Sequence, residues 1–233
     1  MQISPEDRVK YSHYPKLIIF KAVYYYLRYA LSYRDIEEIL QDRGIKVDHS
    51  TLHDWVIKYT KLFEKNIHKK KSKVNGSWRM DETYIKVKGK WKYLYRAVDK
   101  YGDTIDFLLT AHRDTKSAVR FLKRAMKHNG TPTIITIDGS HANKSAIEEV
   151  NKKLNVADEN KIKIRQTKYL NNIVEQDHRG IKRIYKHMLG FNNFHTAHHT
   201  LRGIEMVRMI KKGQFDKKSL SESGFETFCR IAA

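Results

Sequence analysis

Apolar side chains in the N-terminal part of the chain recur at the spacing of α-helices. The apolar positions after Pro15 predict a first helix over residues 16–30, because proline is tolerated in a first helical turn. Ser32 and Asp35 resemble a capping box and predict the start of a second helix. A third helix is predicted over residues 51–63. Its inward face is formed by Leu52, Trp55, Val56, Tyr59 and Phe63.

The second and third predicted helices have the pattern of a helix-turn-helix unit. Gly44 ends the second helix by allowing a left-handed backbone, and Asp48 can cap the third. The polar N-terminal end of the third helix would then enter the major groove of DNA. The residues predicted to contact DNA from this helix are Ser50, Thr51, His53 and Lys58. A helical bundle that binds protein or only dimerises fits the same spacing, so the pattern leaves that alternative open.

Further along the chain the pattern changes to that of β-strands. Strands are predicted over residues 78–87, 91–99 and 104–110, where aromatic and β-branched side chains are frequent. The turns between them fall at residues 88–90 and 100–103. Such short connections join antiparallel neighbours, so the three strands are predicted to be antiparallel.

The second half of the sequence alternates helices and strands. The continuous apolar run over residues 133–137 is typical of a parallel strand covered on both faces. The other predicted elements are helices over 115–127, 143–154 and 196–212, a strand over 162–165, and a helix that Asn171 or Asn172 can cap. This order predicts an α/β fold of the ribonuclease-H-like class, a mixed sheet of three antiparallel strands followed by parallel ones, with flanking helices. An all-α helix-turn-helix domain precedes it.

One acidic side chain, Asp81, lies within the first predicted strand. A carboxylate in a buried strand needs a partner charge or a metal ion. In a ribonuclease-H-like order, Asp81 can meet Asp138 at the end of the fourth strand and Glu175 on the helix after the last strand. Oxygen ligands suit Mg²⁺ or Mn²⁺, and two such ions about 3.5–4 Å apart can promote displacement at phosphorus. The spacing alone leaves four alternatives to Glu175, namely Asp177, Glu148, Glu149 and Glu82.

The charge balance adds nucleic acid as the expected partner. The 233 residues carry 46 Lys and Arg against 26 Asp and Glu, a formal net charge of +20. Such a surplus attracts polyanions through its field and through release of condensed counterions. The basic run after the third helix is predicted to be a linker that touches phosphates through Lys69, Lys70 and Lys71.

We expect the chain to divide into a helical DNA-binding domain at residues 1–64, the basic linker at 65–77, a catalytic domain at 78–213 and a polar tail at 214–233 that stays outside the core.

The single cysteine, Cys229, excludes an internal disulfide framework and a cysteine-rich zinc site. No apolar run is long enough to span a bilayer, and no signal-peptide pattern opens the chain. These features predict a soluble, cytoplasmic and nucleoid-associated protein without a membrane partner.

Two further groups of residues are predicted to carry no catalytic chemistry. The aromatic side chains of Trp78, Trp91 and Tyr24–Tyr26 are predicted to pack in the core. The three histidines His195, His198 and His199 have no cysteine or carboxylate that would complete a zinc ligand set. They are predicted to contact phosphate or to lie on the surface.

Three motifs together resemble the IS-six-type family of bacterial insertion-sequence transposases. They are DETYIKVKGKWKYLYRAVD at residues 81–99, KYLNNIVEQDHR at 168–179 and LRGIE at 201–205. The resemblance extends over roughly residues 15–213. It implies a catalytic triad of the DDE type, formed here by Asp81, Asp138 and Glu175.

The resemblance also implies how such a chain would act on DNA. It implies Mg²⁺-dependent 3′-end hydrolysis followed by strand transfer, often replicative, on terminal inverted repeats and target DNA. The basic residue seven positions after the glutamate is matched by Lys182, which with Arg179 can reach the DNA backbone. Because two element ends are processed together, at least a dimer is expected. One departure is local, since Gly139 follows Asp138 where many relatives carry Lys or Gln.

Two other classes of function share the same predicted fold. A DNA-binding regulator with an inactive catalytic domain would bind DNA without metal-dependent nicking. A structure-directed nuclease would hydrolyse DNA without joining it.

Overall fold

The computed structural model describes residues 14–154, 156–188, 190–216 and 221–232, with every side chain in these ranges except those of residues 64–66, 68, 69 and 168. Most of the segment that precedes the first predicted helix, residues 1–13, lies outside this description. No helix in the described ranges is both long enough and apolar enough to cross a membrane.

Three helices open the described chain, as the apolar spacing predicts. They are α1 (Lys16–Arg28), α2 (Tyr33–Gln41) and α3 (His49–Lys70). The capping box at the start of α2 is confirmed, because the Ser32 hydroxyl accepts from the Asp35 backbone N–H and the Asp35 carboxylate accepts from the Ser32 N–H. Leu52, Trp55, Val56 and Phe63 are buried along the inward face of α3, and Tyr59 is half-buried there.

Helix α3 is longer than the sequence pattern predicts. It continues to Lys70, so residues 65–70 of the predicted linker are helical. Ile67 is buried one turn after Phe63 and extends the apolar stripe of the helix. The run of lysines around Ile67 conceals this single apolar position, which is why the sequence suggests an earlier end.

The five strands form one mixed sheet in the order β3-β2-β1-β4-β5. The antiparallel strands β1, β2 and β3 are followed by β4 and β5, which run parallel to β1. This topology confirms the predicted ribonuclease-H-like arrangement. The strand bounds are β1 Ser77–Val87, β2 Lys90–Asp99, β3 Thr104–Thr110, β4 Ile134–Ile137 and β5 Lys163–Gln166.

Helices cover both faces of this sheet. Helices α4 and α5 pack with Trp78, Met80 and Tyr95 on one face, and α6 and α7 pack with Ile85 and Leu94 on the other. The helix bounds are α4 Thr115–Asn129, α5 His141–Lys153, α6 Asn172–His187, α7 Phe194–Lys211 and α8 Gly224–Ala232. Short 3₁₀ turns lie at Asp158–Asn160 and Lys168–Asn171.

Helix α7 joins the N-terminal helices to the sheet. Leu201, Ile204 and Met206 of α7 belong to one apolar cluster with side chains of α1, α3 and the sheet. Gly203 permits α7 to lie close to α1 and α3, because a Cβ at this position would lie 2.6 Å from Leu27 Cδ2 on α1 and 2.6 Å from Thr60 Cγ2 on α3. The helical N-terminal region and one face of the sheet therefore share a core.

The prediction that the tail stays outside the core was wrong. Phe228 of α8 is fully buried, with ring centroids 4.7 Å from Phe63 and 6.2 Å from Phe20. Phe215 and Ile231 are buried as well. The apolar stripe of α8 is short and lies in a polar stretch, so the sequence shows little of the surface that it covers.

Candidate active site

The three predicted catalytic carboxylates lie on three neighbouring elements. Strand β1 pairs with β4 only through Ser77–Arg79, so Asp81 is the second residue beyond that pairing, next to an open edge of β1. Asp138 follows β4 directly, and its Oδ1 accepts from the Ser140 backbone N–H at 2.9 Å. Glu175 is exposed in the first turn of α6, a helix that packs against β1 and β2.

The other two carboxylates act electrostatically on Asp81. Burial raises the pKa of Asp81 to about 7, and the negative charges of Glu82, Asp138 and Glu175 add to the increase. Both predicted partners therefore lie close enough to Asp81 to change its protonation. In the part of the chain that the structure describes, no three His, Cys, Asp or Glu side chains are placed so that they could hold a metal ion together.

The donor set fits a hard divalent cation. It consists of carboxylate oxygens without sulfur, which is the chemistry that Mg²⁺ and Mn²⁺ prefer. A cation placed between the acids would also reverse the unfavourable interaction that raises the pKa of Asp81. Asp81, Asp138 and Glu175 are thus chemically suited to such an ion.

Asp177, which the spacing allows in place of Glu175, is occupied by cations of the protein itself. Its Oδ2 lies 2.5 Å from Arg96 Nη2, and its Oδ1 lies 2.5 Å from Arg208 Nη2 and 2.8 Å from Lys212 Nζ. Arg96 also binds Glu205 through Nε at 2.6 Å and Nη2 at 3.0 Å. Although burial opposes the charge on Asp177, these cations hold its pKa well below the ordinary value. We call Arg96, Asp177, Glu205, Arg208 and Lys212 the ion-pair network.

This network fastens α6 to β2 and α7. Asp177 lies two residues after Glu175 on α6, Arg96 is on β2, and Glu205 and Arg208 are on α7. Gly180 leaves room for it, because a Cβ there would overlap the Arg208 guanidinium. The residue pattern predicts no role for Arg96 or Glu205. The only signal is their place in the motifs at residues 81–99 and 201–205.

Glu82, Glu148 and Glu149 are less suited than Glu175 to complete the triad. Glu82 accepts from Arg113 Nε and, at 2.9 Å, from Asn143 Nδ2. Glu149 pairs with Lys153 on the surface of α5, and Glu148 is exposed on the same helix. Glu175, by contrast, has no ion pair within the described residues and lies on the helix that packs against β1.

A histidine lies beside Asp81. His178 of α6 is buried, and its Nδ1 is 3.6 Å from Asp81 Oδ2. Burial lowers the pKa of His178, and the positive charge of Arg96 adds to the effect. The ring is therefore neutral near pH 7, so it contacts Asp81 as a dipole and not as a cation.

The predicted DNA contacts on α3 lie at its N-terminus. The Asp48 carboxylate caps the helix and also accepts from the Ser50 hydroxyl at 2.5 Å and the Thr51 hydroxyl at 3.0 Å. His53 is partly exposed, with Nδ1 3.5 Å from Asp54 Oδ1. Lys58 is half-exposed, with Nζ 6.0 Å from the centre of the Tyr59 ring.

The basic residues after α3 are engaged within the chain. Lys70 Nζ donates to the Arg230 carbonyl at 2.8 Å, and Lys71 Nζ donates to the Ile105 carbonyl at 2.6 Å and to Asn129 Oδ1 at 2.8 Å. Burial lowers the pKa of Lys71 to about 8. This corrects the expectation of phosphate contacts for Lys70 and Lys71, because their amines already hold internal acceptors. The side chain of Lys69 lies outside the described residues.

The basic residues predicted on α6 remain at the surface. Arg179 is exposed and Lys182 is half-exposed. They follow Glu175 by one and two helical turns. Both lie on the helix that borders the carboxylates.

Two of the remaining predictions need correction. His199 is buried beside His195 and His198, with ring centroids 4.4 and 5.4 Å away, and burial with these neighbours lowers its pKa to about 4. It therefore does not lie on the surface. Trp78 is buried as predicted, but the side chain of Trp91 is exposed.

Comparisons with known proteins agree with the motifs. A family model for a "DDE domain" (DDE_Tnp_IS240) matches residues 75–214. The chain is 43% identical, over 93% of its length and 93% of theirs, to two transposases of Staphylococcus aureus. One is the transposase for insertion sequence element IS257 in transposon Tn4003, and the other is the transposase for insertion sequence-like element IS431mec. A solved structure, the HTLV-2 integrase catalytic core domain in complex with magnesium, is similar at a TM-score of 0.47 and 16% identity, covering 67% of this chain and 97% of that one. The match of the family model and the identity to these transposases show that the chain belongs to the IS-six-type family of bacterial insertion-sequence DDE transposases.

Proposed function

We propose that this protein binds the terminal inverted repeats of an insertion sequence, cleaves the DNA at their 3′ ends and joins those ends to target DNA. Membership of the transposase family supports the reaction class. The observation that supports the assignment of residues is their position on neighbouring elements. Asp81 lies just beyond the pairing of β1 with β4, Asp138 directly follows β4, and Glu175 lies in the first turn of α6, which packs against β1.

In the first step a water molecule attacks the phosphorus at the end of the element, and the 3′ oxygen leaves as a hydroxyl. In the second step that 3′ hydroxyl attacks a target phosphodiester, whose own 3′ oxygen leaves. One or two divalent ions would supply the activation of the attacking oxygen and the stabilisation of the leaving one. Asp81, Asp138 and Glu175 would hold those ions, and no covalent intermediate with the protein is needed.

The ion-pair network would keep Glu175 in place. Because Asp177 is bound by three cations, the start of α6 cannot move away from β2 and α7 without breaking buried ion pairs. We assign Arg179 and Lys182 to the DNA backbone near the reacting phosphate.

Recognition of the element ends would fall to the N-terminal helices. We assign the helical region within residues 1–64 to DNA binding, with Ser50, Thr51, His53 and Lys58 at the groove-facing end of α3, and residues 78–213 to catalysis. Two ends must be held at once, so we propose that at least two copies of the chain assemble on DNA. The net charge of +20 supports DNA as the partner.

The decisive test compares Asp81→Asn, Asp138→Asn and Glu175→Gln with the matched control Glu148→Gln, which changes an exposed carboxylate on α5. Purified protein is incubated with labelled element ends, target DNA and Mg²⁺ or Mn²⁺. The three site variants should lose cleavage and strand transfer while binding the ends normally, and the control should keep both. Retained cleavage in any one variant would remove that residue from the triad.

The same assay separates a transposase from a regulator and from a nuclease. Binding by the unaltered protein without metal-dependent nicking would identify a regulator, and hydrolysis without joining would identify a nuclease. Joined products in which the 5′ ends of the element stay attached to their original flanks would support a replicative pathway.

A further inference from the structure

The hairpin of β1 and β2 carries exposed aromatic side chains beyond the candidate active site. Trp91 is 55% exposed and Tyr84 is 43% exposed, and Tyr93 beside them is half-buried. Lys86 and Arg113 border these rings. We refer to these five residues as the aromatic strip.

Pairing across the hairpin fixes the strip on one face of the sheet. Tyr84 lies opposite Tyr93, and Lys86 lies opposite Trp91. The Tyr84 ring meets Tyr93 edge to face with centroids 5.3 Å apart, and it meets Trp91 in the same way at 6.1 Å. Lys86 Nζ lies 5.7 Å from the centre of the Trp91 ring. The rings therefore hold one another in place although they are open to solvent.

Arg113 connects the strip to the carboxylates. Its Nε donates to Glu82, the neighbour of Asp81, and its Nη1 lies 3.3 Å from the Tyr84 hydroxyl. Burial opposes the charge on Arg113, but the negative charge of Glu82 and a smaller effect of Asp138 outweigh it and raise the pKa of Arg113. Tyr84 is three residues beyond Asp81 on β1, or about 10 Å at the usual strand rise, and the two side chains lie on opposite faces of the sheet. A bound strand therefore reaches the strip from Asp81 around the open edge of β1.

The charge of the hairpin indicates what the strip binds. No acidic residue occurs between Glu82 and Asp99, and four lysines do, Lys86, Lys88, Lys90 and Lys92. Lysine is depleted in protein–protein interfaces, so this composition is unlike that of a surface for another protein. Aromatic rings flanked by cations are instead the means by which proteins hold unpaired nucleic acid, since bases stack on the rings and phosphates lie near the charges.

We propose that the aromatic strip binds unpaired bases of a DNA strand that passes from the catalytic carboxylates around the open edge of β1 onto the face of the β1–β2 hairpin that carries the strip. The proposal rests on the proposed function for the origin of that strand at the reacting phosphate. The binding itself needs no metal and no reaction. Trp91 stacks on a base, and Lys86 lies beside the adjoining phosphate. Arg113 offsets the negative charge of Glu82 that would otherwise repel the DNA backbone.

Tryptophan fluorescence can test the contact directly in the full chain. Of the three tryptophans, Trp55 and Trp78 are 0% and 1% exposed, so only Trp91 can meet a ligand from solution. Titration with a thymidine oligonucleotide of about 15 nucleotides in metal-free buffer should quench the emission of Trp91, because a base stacks on its ring. Trp91→Phe should keep most of the affinity and lose the quenching.

A matched pair of alanine variants measures the contribution of the ring. Tyr101 is a suitable control because it is 74% exposed, has Lys100 Nζ 4.8 Å from its ring centre, and lies in the β2–β3 turn. Trp91→Ala should weaken binding of the oligonucleotide about 10-fold, the equivalent of one stacked base. Its effect on a duplex of the same length should stay within about 2-fold, and Tyr101→Ala should change neither affinity by more than about 2-fold.

Three results would overturn the proposal. They are unquenched emission on saturating oligonucleotide, equal losses in Trp91→Ala and Tyr101→Ala, or an unchanged affinity in Trp91→Ala together with a smaller oligomer by light scattering. The last result would identify the strip as a contact between copies of the chain. These measurements are made without metal, so their failure is distinct from a loss of strand transfer in the catalytic test.

Discussion

The ion-pair network offers the sharpest prediction about how this fold holds its site. In Glu205→Gln the side chain keeps its shape but loses its charge, while Arg96, which is 0% exposed, keeps only Asp177 as an anionic partner. Removing one partner from a buried ion pair typically costs about 3–5 kcal/mol, because the remaining charge stays desolvated. Arg96 keeps one of its two anions, so we expect a loss of about 3 kcal/mol.

Urea unfolding followed by circular dichroism can measure this loss. With a slope of about 2–3 kcal/mol/M, a loss of that size lowers the midpoint by about 1 M or more. The matched control is Glu149→Gln, which removes a surface pair with Lys153 and should leave the midpoint unchanged. The double variant Arg96→Met with Glu205→Leu should be more stable than Glu205→Gln, because no unpaired charge remains and Asp177 keeps Arg208 and Lys212.

The role of the network is refuted if Glu205→Gln unfolds at the same urea concentration as the unaltered protein. It is also refuted if the double variant is the less stable of the two. Either outcome would mean that the network does not hold buried charge, and that α6 is positioned by its apolar contacts alone.

Three further predictions concern the site and the core. In metal-free buffer Asp81→Asn should stabilise the fold, because burial raises the pKa of Asp81 from 3.8 to about 7 and the cost of its charge grows as pH rises between these values. Thermal unfolding should show a gain of about 4 kcal/mol at pH 8 that shrinks towards pH 4. Gly180→Ala should displace Arg208 from Asp177 and lower the free energy of unfolding by about 1–3 kcal/mol, whereas Gly139→Ala, whose new Cβ meets no atom within 4 Å, should not. Phe228→Ala should lower the free energy of unfolding, measured with a chemical denaturant, by about 3–5 kcal/mol because the Phe228 ring is fully buried. An unchanged stability would contradict the assignment of α8 to the core.

Much of the fold can be predicted from the sequence, because local patterns determine it. The capping box at Ser32 and the third strand at Thr104–Thr110 appear in the structure where the spacing predicts them. The two errors of extent, the continuation of α3 and the packing of α8, share one cause. In each case a few apolar side chains in a polar stretch are buried by elements far away in sequence. The periodicity within the segment contains no information about that contact.

The candidate site divides in the same way. The sequence by itself determined that Asp81 is an acid in a strand that otherwise favours burial and that Asp138 follows an apolar strand. The resemblance to the transposase family then predicted Glu175 as their partner. Only the tertiary structure showed that Asp177, which the spacing leaves open beside Glu175, is occupied, because the cations that bind it come from β2 and α7. Only the tertiary structure placed Trp91 in solvent, since its exposure depends on how far the helices cover the sheet. The alternation of residue types along a strand is a local property of the sequence. The charges that a side chain meets, and the elements that cover it, come from parts of the chain that meet only in the fold.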